Sequence, residues 1–326
     1  MKILVAGGAG FIGSCCTEIL LDNGHDVLVY DSLVKGHRDA VDKRAEFVQG
    51  DLRDKDKLVQ VMKNGNFDGM IHFAAYIEAG ESMENPGKYF DNNVAAGLNL
   101  VQAAAETGMP KIVFSSTAAT YGTPESVPIA ETAPTVPINA YGESKLMFEN
   151  ILGWYKQIHG VEFVALRYFN AAGATESHGE DHHPETHLIP IVLQVASGQR
   201  DSIKIFGTDY DTPDGTCIRD YIHVRDLSDA HILALEKPVS GAFNLGSGAG
   251  YSVREIVDVA RKVTGHPIPV EETERRPGDP DRLISDSTKA RNELGWQPQH
   301  DNIHDIVASA WNWRQKFPEG YEDGVG

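Results

Sequence analysis

Cysteine is scarce in this chain: three in 326 residues, two of them adjacent at Cys15 and Cys16. Three thiols build no disulfide framework, so they read as packing residues in a reducing compartment. Long apolar runs are missing too; none approaches the roughly 18–20 residues that span a membrane. The chain passes from Met1 straight into an apolar strand pattern, without the charged, apolar and small-residue zones of a signal peptide. A cytoplasmic location and no membrane partner are therefore expected. Positive charge is likewise in short supply, since 29 Lys and Arg face 47 Asp and Glu for a net −18. Such a balance disfavours a polyanion-binding surface, so no nucleic-acid partner is expected, although a few converging arginines could still hold a small anion.

What is present begins with a short apolar run, Lys2–Ala6, that feeds the glycine turn Gly7-Gly-Ala-Gly10-Phe11-Ile12-Gly13. An amphipathic segment follows and stops at Asn23-Gly24. Gly7 suits the tight turn, Gly10 close approach of a pyrophosphate, and Gly13 helix–strand packing. The helix N-terminus after the turn offers free N–H groups to the negative charge. A second apolar run, 26–30, ends in Asp31, whose carboxylate suits the adenosine ribose hydroxyls and repels a 2′-phosphate. NAD is thus the expected cofactor, in preference to NADP.

Strand-like and helix-like runs then alternate. Strands are expected at 2–6, 26–30, 46–48, 68–74, 111–115 and 161–167, and helices at 11–22, 54–63, 88–107 and 141–158. The alternation predicts an α/β fold: a Rossmann-type, doubly wound parallel sheet covered on both faces. Past Asn170 the pattern loosens into helical runs at 225–236, 252–263 and 303–315, with short strands near 203–206 and 242–245. The expected division is a nucleotide-binding unit over 1–170 and a smaller mixed α/β substrate lobe over 171–326, with 225–250 a candidate for return to the sheet.

Strand 111–115 runs into Ser115-Ser116-Thr117, at the strand end where open parallel sheets carry their ligand crevice. Further on, Tyr141-Gly-Glu-Ser-Lys145 places a phenol and an ammonium one turn apart on the same helix face. The ammonium favours the phenolate and pulls its pKa down from about 10, making Tyr141 a general base. Thr117, Tyr141 and Lys145 together form the hydroxyl–Tyr–Lys set of an alcohol or sugar redox site. His178, His182, His183 and His187 match no zinc-ligand spacing; they are expected to be solvated loop residues, and no metal is expected.

These motifs, with GDLRD (50–54), HFAA (72–75), GES (80–82), NNV (92–94), RYFNAAGA (167–174), HLIP (187–190), IFG (205–207), DYDTPDGTCIRDYIHVRDL (209–227), NLGSG (244–248) and RRPGD (275–279), run nearly end to end. They resemble the extended short-chain dehydrogenase/reductase family, and closely its branch of 4-epimerases acting on UDP-galactose and UDP-glucose. The resemblance implies that Asp51 and Leu52 flank the adenine, that Phe73, Ala74 and Ala75 line the cofactor channel, and that Asn93 and Lys145 hold the nicotinamide riboside. It implies that Asn170, His187 and Leu188 approach the diphosphate or sugar and that backbone near Lys204 and Phe206 reads the uracil. Arg219 and Arg276 would clamp the diphosphate through their planar forks, and Asp279 would reach the uridine ribose. Sugar-nucleotide 4,6-dehydratases carry an Asp-Glu pair straight after the catalytic hydroxyl; here those positions are Ala118 and Ala119, which points away from dehydration. Leu283 stands at the position that gates the sugar's 2-substituent, which leaves N-acetylated hexosamines open; pentose and uronate nucleotides, or a non-catalytic NAD-binding regulator, are the alternative readings. By the same resemblance, helices 88–107 and 141–158 pair with their copies in a homodimer.

Overall fold

The computed structural model describes residues 1–276 and 279–322. Pro277 and Gly278 of the RRPGD stretch, and residues 323–326, lie outside the described residues. The main sheet comprises β1 (Lys2–Ala6), β2 (Asp26–Asp31), β3 (Glu46–Gln49), β4 (Gly69–His72), β5 (Lys111–Thr117), β6 (Glu162–Tyr168) and β7 (Gly241–Leu245). All neighbours are parallel, in the order β7-β6-β5-β4-β1-β2-β3. The central strands are apolar on both faces because helices cover both.

Alternation along each strand divides the core. Ile3, Val5, Val27, Val29, Val113 and Val164 pack with Ile19 and Leu20 of α1 (Phe11–Asp22) on one face. Leu4, Ala6, Leu28, Met70 and Ile112 face the other way, against α2 (Lys55–Gly65), α3 (Gly97–Thr107) and α4 (Ala140–His159). The smaller lobe has its own core, where Ile189, Val192 and Leu193 of α5 (Leu188–Ala196) meet Ile256 and Val257 of α7 (Val253–Thr264) and Ile306 and Val307 of α8 (Ile303–Lys316). Helix α6 (Val224–Glu236) belongs to the first face of the sheet, where Leu227, Ala230 and Ala234 join that core beside α1, and it leads back to β7 at the sheet edge.

Three details depart from the sequence expectation. Strand 68–74 ends at His72, because Phe73 and Ala74 both donate their N–H to Ala6 O, at 2.8 and 3.1 Å, and turn the chain. The expected single helix 88–107 is a short turn at Pro86–Tyr89, a π-helical stretch at Phe90–Ala96, and then α3. The sequence pattern does not predict helix α5: LIPIVLQVA has Gln194 as its one polar residue, so it shows no clear polar and apolar stripes.

Candidate active site

Strand order reverses between β1 and β4, and the crevice at their carboxyl ends opens into a cavity of about 450 Å³. Its floor is the glycine turn. Gly7 has φ +84°, and a Cβ there would sit 2.4 Å from Ala74 N; a Cβ on Gly13 would sit 2.2 Å from Gly7 O. Gly10 differs, since its Cβ would meet only Gly7 O at 3.7 Å and would otherwise fill open space over the helix start. Helix α1 has Gly10 as N-cap, no side-chain cap and no acid in its first turn. Its leading N–H groups are therefore left to an anion, which is the cradle a dinucleotide pyrophosphate requires.

Asp31 closes β2 beside this cradle. Its Oδ2 accepts from Ala9 N at 2.9 Å and its Oδ1 from Leu33 N at 2.8 Å. Burial pushes its carboxyl up, against those backbone bonds. A carboxylate so fixed keeps free lone pairs for vicinal hydroxyls. Phe11, Ile12, Asp51, Leu52, Phe73, Ala74 and Ala75 also line the cavity.

Thr117 ends β5, and Tyr141 stands in the first turn of α4, whose N-cap Asn139 accepts from Gly142 N at 2.7 Å. Both face the cavity. Lys145 is buried one turn on; its Nζ donates to Ser115 O at 2.7 Å and lies 5.9 Å from the Tyr141 ring centre. Burial lowers the Lys145 ammonium to about 7, opposed by the Glu149 carboxylate. Burial likewise pushes the Tyr141 phenol up to about 12, with the Thr117 hydroxyl pulling it down and Glu78 adding to the rise. The sequence expectation had Lys145 pulling that phenol down. In the protein alone desolvation wins, because the buried phenol has no water to stabilise its charged form.

Behind Lys145 lies a buried network. Arg167 pairs with Glu149 through Nε–Oε1 at 2.9 Å and Nη2–Oε2 at 2.5 Å, both side chains 7% exposed. Ser116 donates to Glu149, Arg167 Nη1 to Tyr121 OH at 3.0 Å, and Tyr121 to Asn244 Oδ1 at 2.7 Å. This network ties β5, α4, β6 and β7 into one rigid back wall.

Other expected residues fall elsewhere. Asn93 is buried in the π-helical stretch with its amide taken up by Tyr76 N, Tyr76 O and Ser144 Oγ, at 2.9–3.0 Å. It shapes the Tyr76 backbone, and that strand-end loop in turn lines the cavity. Asn170 and His187 face the cavity, whereas Leu188, Lys204, Phe206, Arg219, Arg276 and Asp279 are not in its wall. The last four gather in the smaller lobe: Asp279 takes Arg219 Nη2 on Oδ1 at 3.2 Å and Arg276 Nε on Oδ2 at 3.0 Å, and the Arg276 guanidinium lies 4.8 Å from the Phe206 ring centre. Asp279, expected to reach a ribose, is thus the counter-ion of both arginines.

The histidines also need correcting. His183 is exposed, but His178 is buried and hydrogen-bonded to Glu18 Oε2 at 2.7 Å, while His182 and His187 lie 3.2 and 2.7 Å from Glu180 Oε1. Glu78, Ser115, Tyr168, Glu180 and His182 line the cavity without having been singled out for it. For Tyr168 and Ser115 the signal was available, as both stand in motifs at strand ends.

This arrangement has counterparts. A model of the NAD dependent epimerase/dehydratase family matches residues 3–246. A UDP-glucose 4-epimerase of Streptococcus mutans is 56% identical, over 99% of each chain. Among solved structures, a UDP-glucose 4-epimerase from Brucella ovis in complex with NAD is 45% identical with a TM-score of 0.92, covering 95% of this chain and 97% of that one. Another from Bifidobacterium longum, in complex with NAD+ and UDP, is 40% identical with a TM-score of 0.93, covering 98% of this chain and 100% of that one. Glycine cradle, strand-end Asp31 and the Thr117–Tyr141–Lys145 set all stand within the matched residues, and this chain belongs to the NAD dependent epimerase/dehydratase family.

Proposed function

We infer that the cavity interconverts UDP-galactose and UDP-glucose by oxidation and re-reduction at C4 of the hexose, with NAD as cofactor. The carrying observation is Tyr141 and Thr117 converging on a cavity floored by an uncapped helix start, with Ala118 and Ala119 where elimination of water would need carboxylates. When bound at the glycine cradle, NAD would supply the hydride acceptor and donor for C4 and a positive charge that favours the Tyr141 phenolate. Tyr141 takes the proton of the 4-hydroxyl, Thr117 shares the hydrogen bond, and Lys145 supports the phenolate from its post on Ser115. The resulting 4-keto hexose turns about its bond to the anchored diphosphate and presents its other face. Tyr141 then gives the proton back, and C4 is inverted without net redox change. Arg219 and Arg276 are assigned to the diphosphate; both are already oriented by Asp279, so an anion displaces or shares that carboxylate.

Leu283 sits in the short strand Arg282–Leu283 and packs near Ala118, Tyr121 and Ile129. A larger side chain there narrows the space left to a 2-acetamido group. Leu283→Tyr is therefore expected to lower kcat/KM for UDP-N-acetylgalactosamine relative to UDP-galactose by about tenfold or more. An unchanged ratio in competition assays would remove Leu283 from specificity.

Homodimerisation is part of the same reading. Met147, Trp154 and Ile158 are 38, 62 and 66% exposed on α4, and their spacing puts them on one face. Trp154→Glu is expected to convert a dimer to monomers in light scattering; a wild type that runs as a monomer contradicts the assignment. Among the described residues no helix is long and apolar enough to cross a membrane. Buried Cys15, Cys16 and Cys217, all unpaired, support the cytoplasmic reading.

A further inference from the structure

Four side chains of the loop before α5 converge: Glu180, His182, Glu185 and His187 each bring one nitrogen or oxygen to a point where all four atoms lie within 4.8 Å of one another. His182 Nδ1 and His187 Nδ1 stand 3.2 and 2.7 Å from Glu180 Oε1, and His187 Nδ1 stands 3.3 Å from Glu185 Oε1. A tetrahedral ion with ligands at 2.0–2.1 Å has edges of about 3.3 Å.

Close contacts alone could equally be ion pairs, with two imidazolium ions balancing two carboxylates. Orientation distinguishes the two. His178 Nδ1 also stands 2.7 Å from a carboxylate, on Glu18, and there the ring nitrogen is aimed at the oxygen in a hydrogen bond. At His182 and His187 the Nδ1 atoms are buried without a hydrogen-bond partner, despite the nearby Glu180 oxygen. Glu185 Oε2 is a third such orphan, on a side chain only 2% exposed, while its Oε1 is fixed by Thr186 N and His187 N at 2.8 Å each. Three buried polar atoms lacking partners in one small space cost too much to leave unsatisfied. One divalent cation satisfies them all, with both imidazoles neutral and the charge of two carboxylates cancelled.

We propose that Glu180, His182, Glu185 and His187 form a closed structural site for a divalent transition metal of the zinc class. Two imidazoles and two carboxylates suit zinc or cobalt better than the all-oxygen shells of magnesium or calcium. The site has no role in moving hydride or proton. It clamps the loop that joins Asn170–Ala172 to α5 and forms part of the cavity wall, where the His182 ring stands edge-on to Phe11 beside the glycine turn. With Nδ1 engaged, His187 keeps only Nε2 for a substrate oxygen. The histidine spacing hid this site because two of its four ligands are glutamates.

The test uses the full chain purified without a polyhistidine tag, stripped with a chelator and titrated with cobalt(II) or zinc(II) chloride. Cobalt is expected to give the intense visible bands of a tetrahedral site, saturating near one equivalent and bleached by zinc. Zinc at a hundredfold excess over its Kd is expected to raise the thermal midpoint by roughly 4 °C. His182→Ala and Glu185→Gln are expected to weaken cobalt binding by at least about tenfold. Wild-type protein that shows neither band nor thermal shift with either metal overturns the proposal, and so do bands unchanged in both variants. The readouts need no catalytic turnover, so they stand apart from the assignment of the reaction.

Discussion

Tyr141→Phe lowers kcat by about a thousandfold, within the range expected for loss of a positioned general acid–base group and equivalent to about 4 kcal/mol of barrier. Neither neighbouring hydroxyl replaces the phenol oxygen: Tyr168 is turned to the Ser115 hydroxyl, and Thr117 carries an alcohol too weakly acidic to serve as base. Because the ring itself stays, the variant keeps the cavity wall and the N-terminal turn of α4. Cofactor content, read from the absorbance of the denatured supernatant, is expected to match wild type, and KM is expected to change by less than about threefold, since the lost interaction belongs to the transition state. Turnover at wild-type rate would contradict the proton-transfer role. Loss of both cofactor and turnover would instead assign Tyr141 to binding.

Glu149→Ala is expected to cost about 3–5 kcal/mol of stability, the usual penalty for stranding one member of a buried pair. Arg167 would keep its charge at 7% exposure with only Tyr121 left to accept from it. For a chain of this size the loss corresponds to a fall in melting midpoint of roughly 4–7 °C. A second effect separates this pair from ordinary packing. The Glu149 carboxylate opposes the burial that lowers Lys145, so its removal shifts the ammonium further down from about 7. Turnover of the folded variant is then expected to fall most at the alkaline end of the pH profile, where Lys145 loses its proton sooner. Glu149→Gln keeps part of the hydrogen bonding and is expected to recover part of the stability without restoring the profile. A pH profile that does not move would confine Glu149 to a structural role.

The nucleotide half was legible because its signals are local. A continuous apolar strand, glycines at fixed spacing and an acid at the next strand end describe β1, the turn and Asp31 almost without reference to the remainder. Tyr141 and Lys145 were legible for the same reason, one helical turn apart. The phenol's pKa was not, since it depends on how completely the surroundings exclude water. The bond from the Asn93 amide to Tyr76 was not legible, because a π-helical turn aims it there and nothing in Asn92-Asn93-Val94 signals the extra residue in that turn. Helix α5 escaped for lack of a polar face. The cluster at Glu180 and His187 escaped because loop residues converge through tertiary folding, with ligand types interleaved by Asp181, His183 and Pro184. Arg219 and Asp279, sixty residues apart, meet only through the paired short strands of the smaller lobe.

The most direct measurement of the central claim is proton NMR of the purified protein with UDP-galactose and no added NAD. The anomeric signal of UDP-glucose is expected to grow to a steady ratio, and the same ratio is expected from UDP-glucose. An unchanged spectrum, persisting after NAD is supplied and with cofactor binding confirmed, would contradict epimerisation and leave a protein that holds NAD without turning over this sugar.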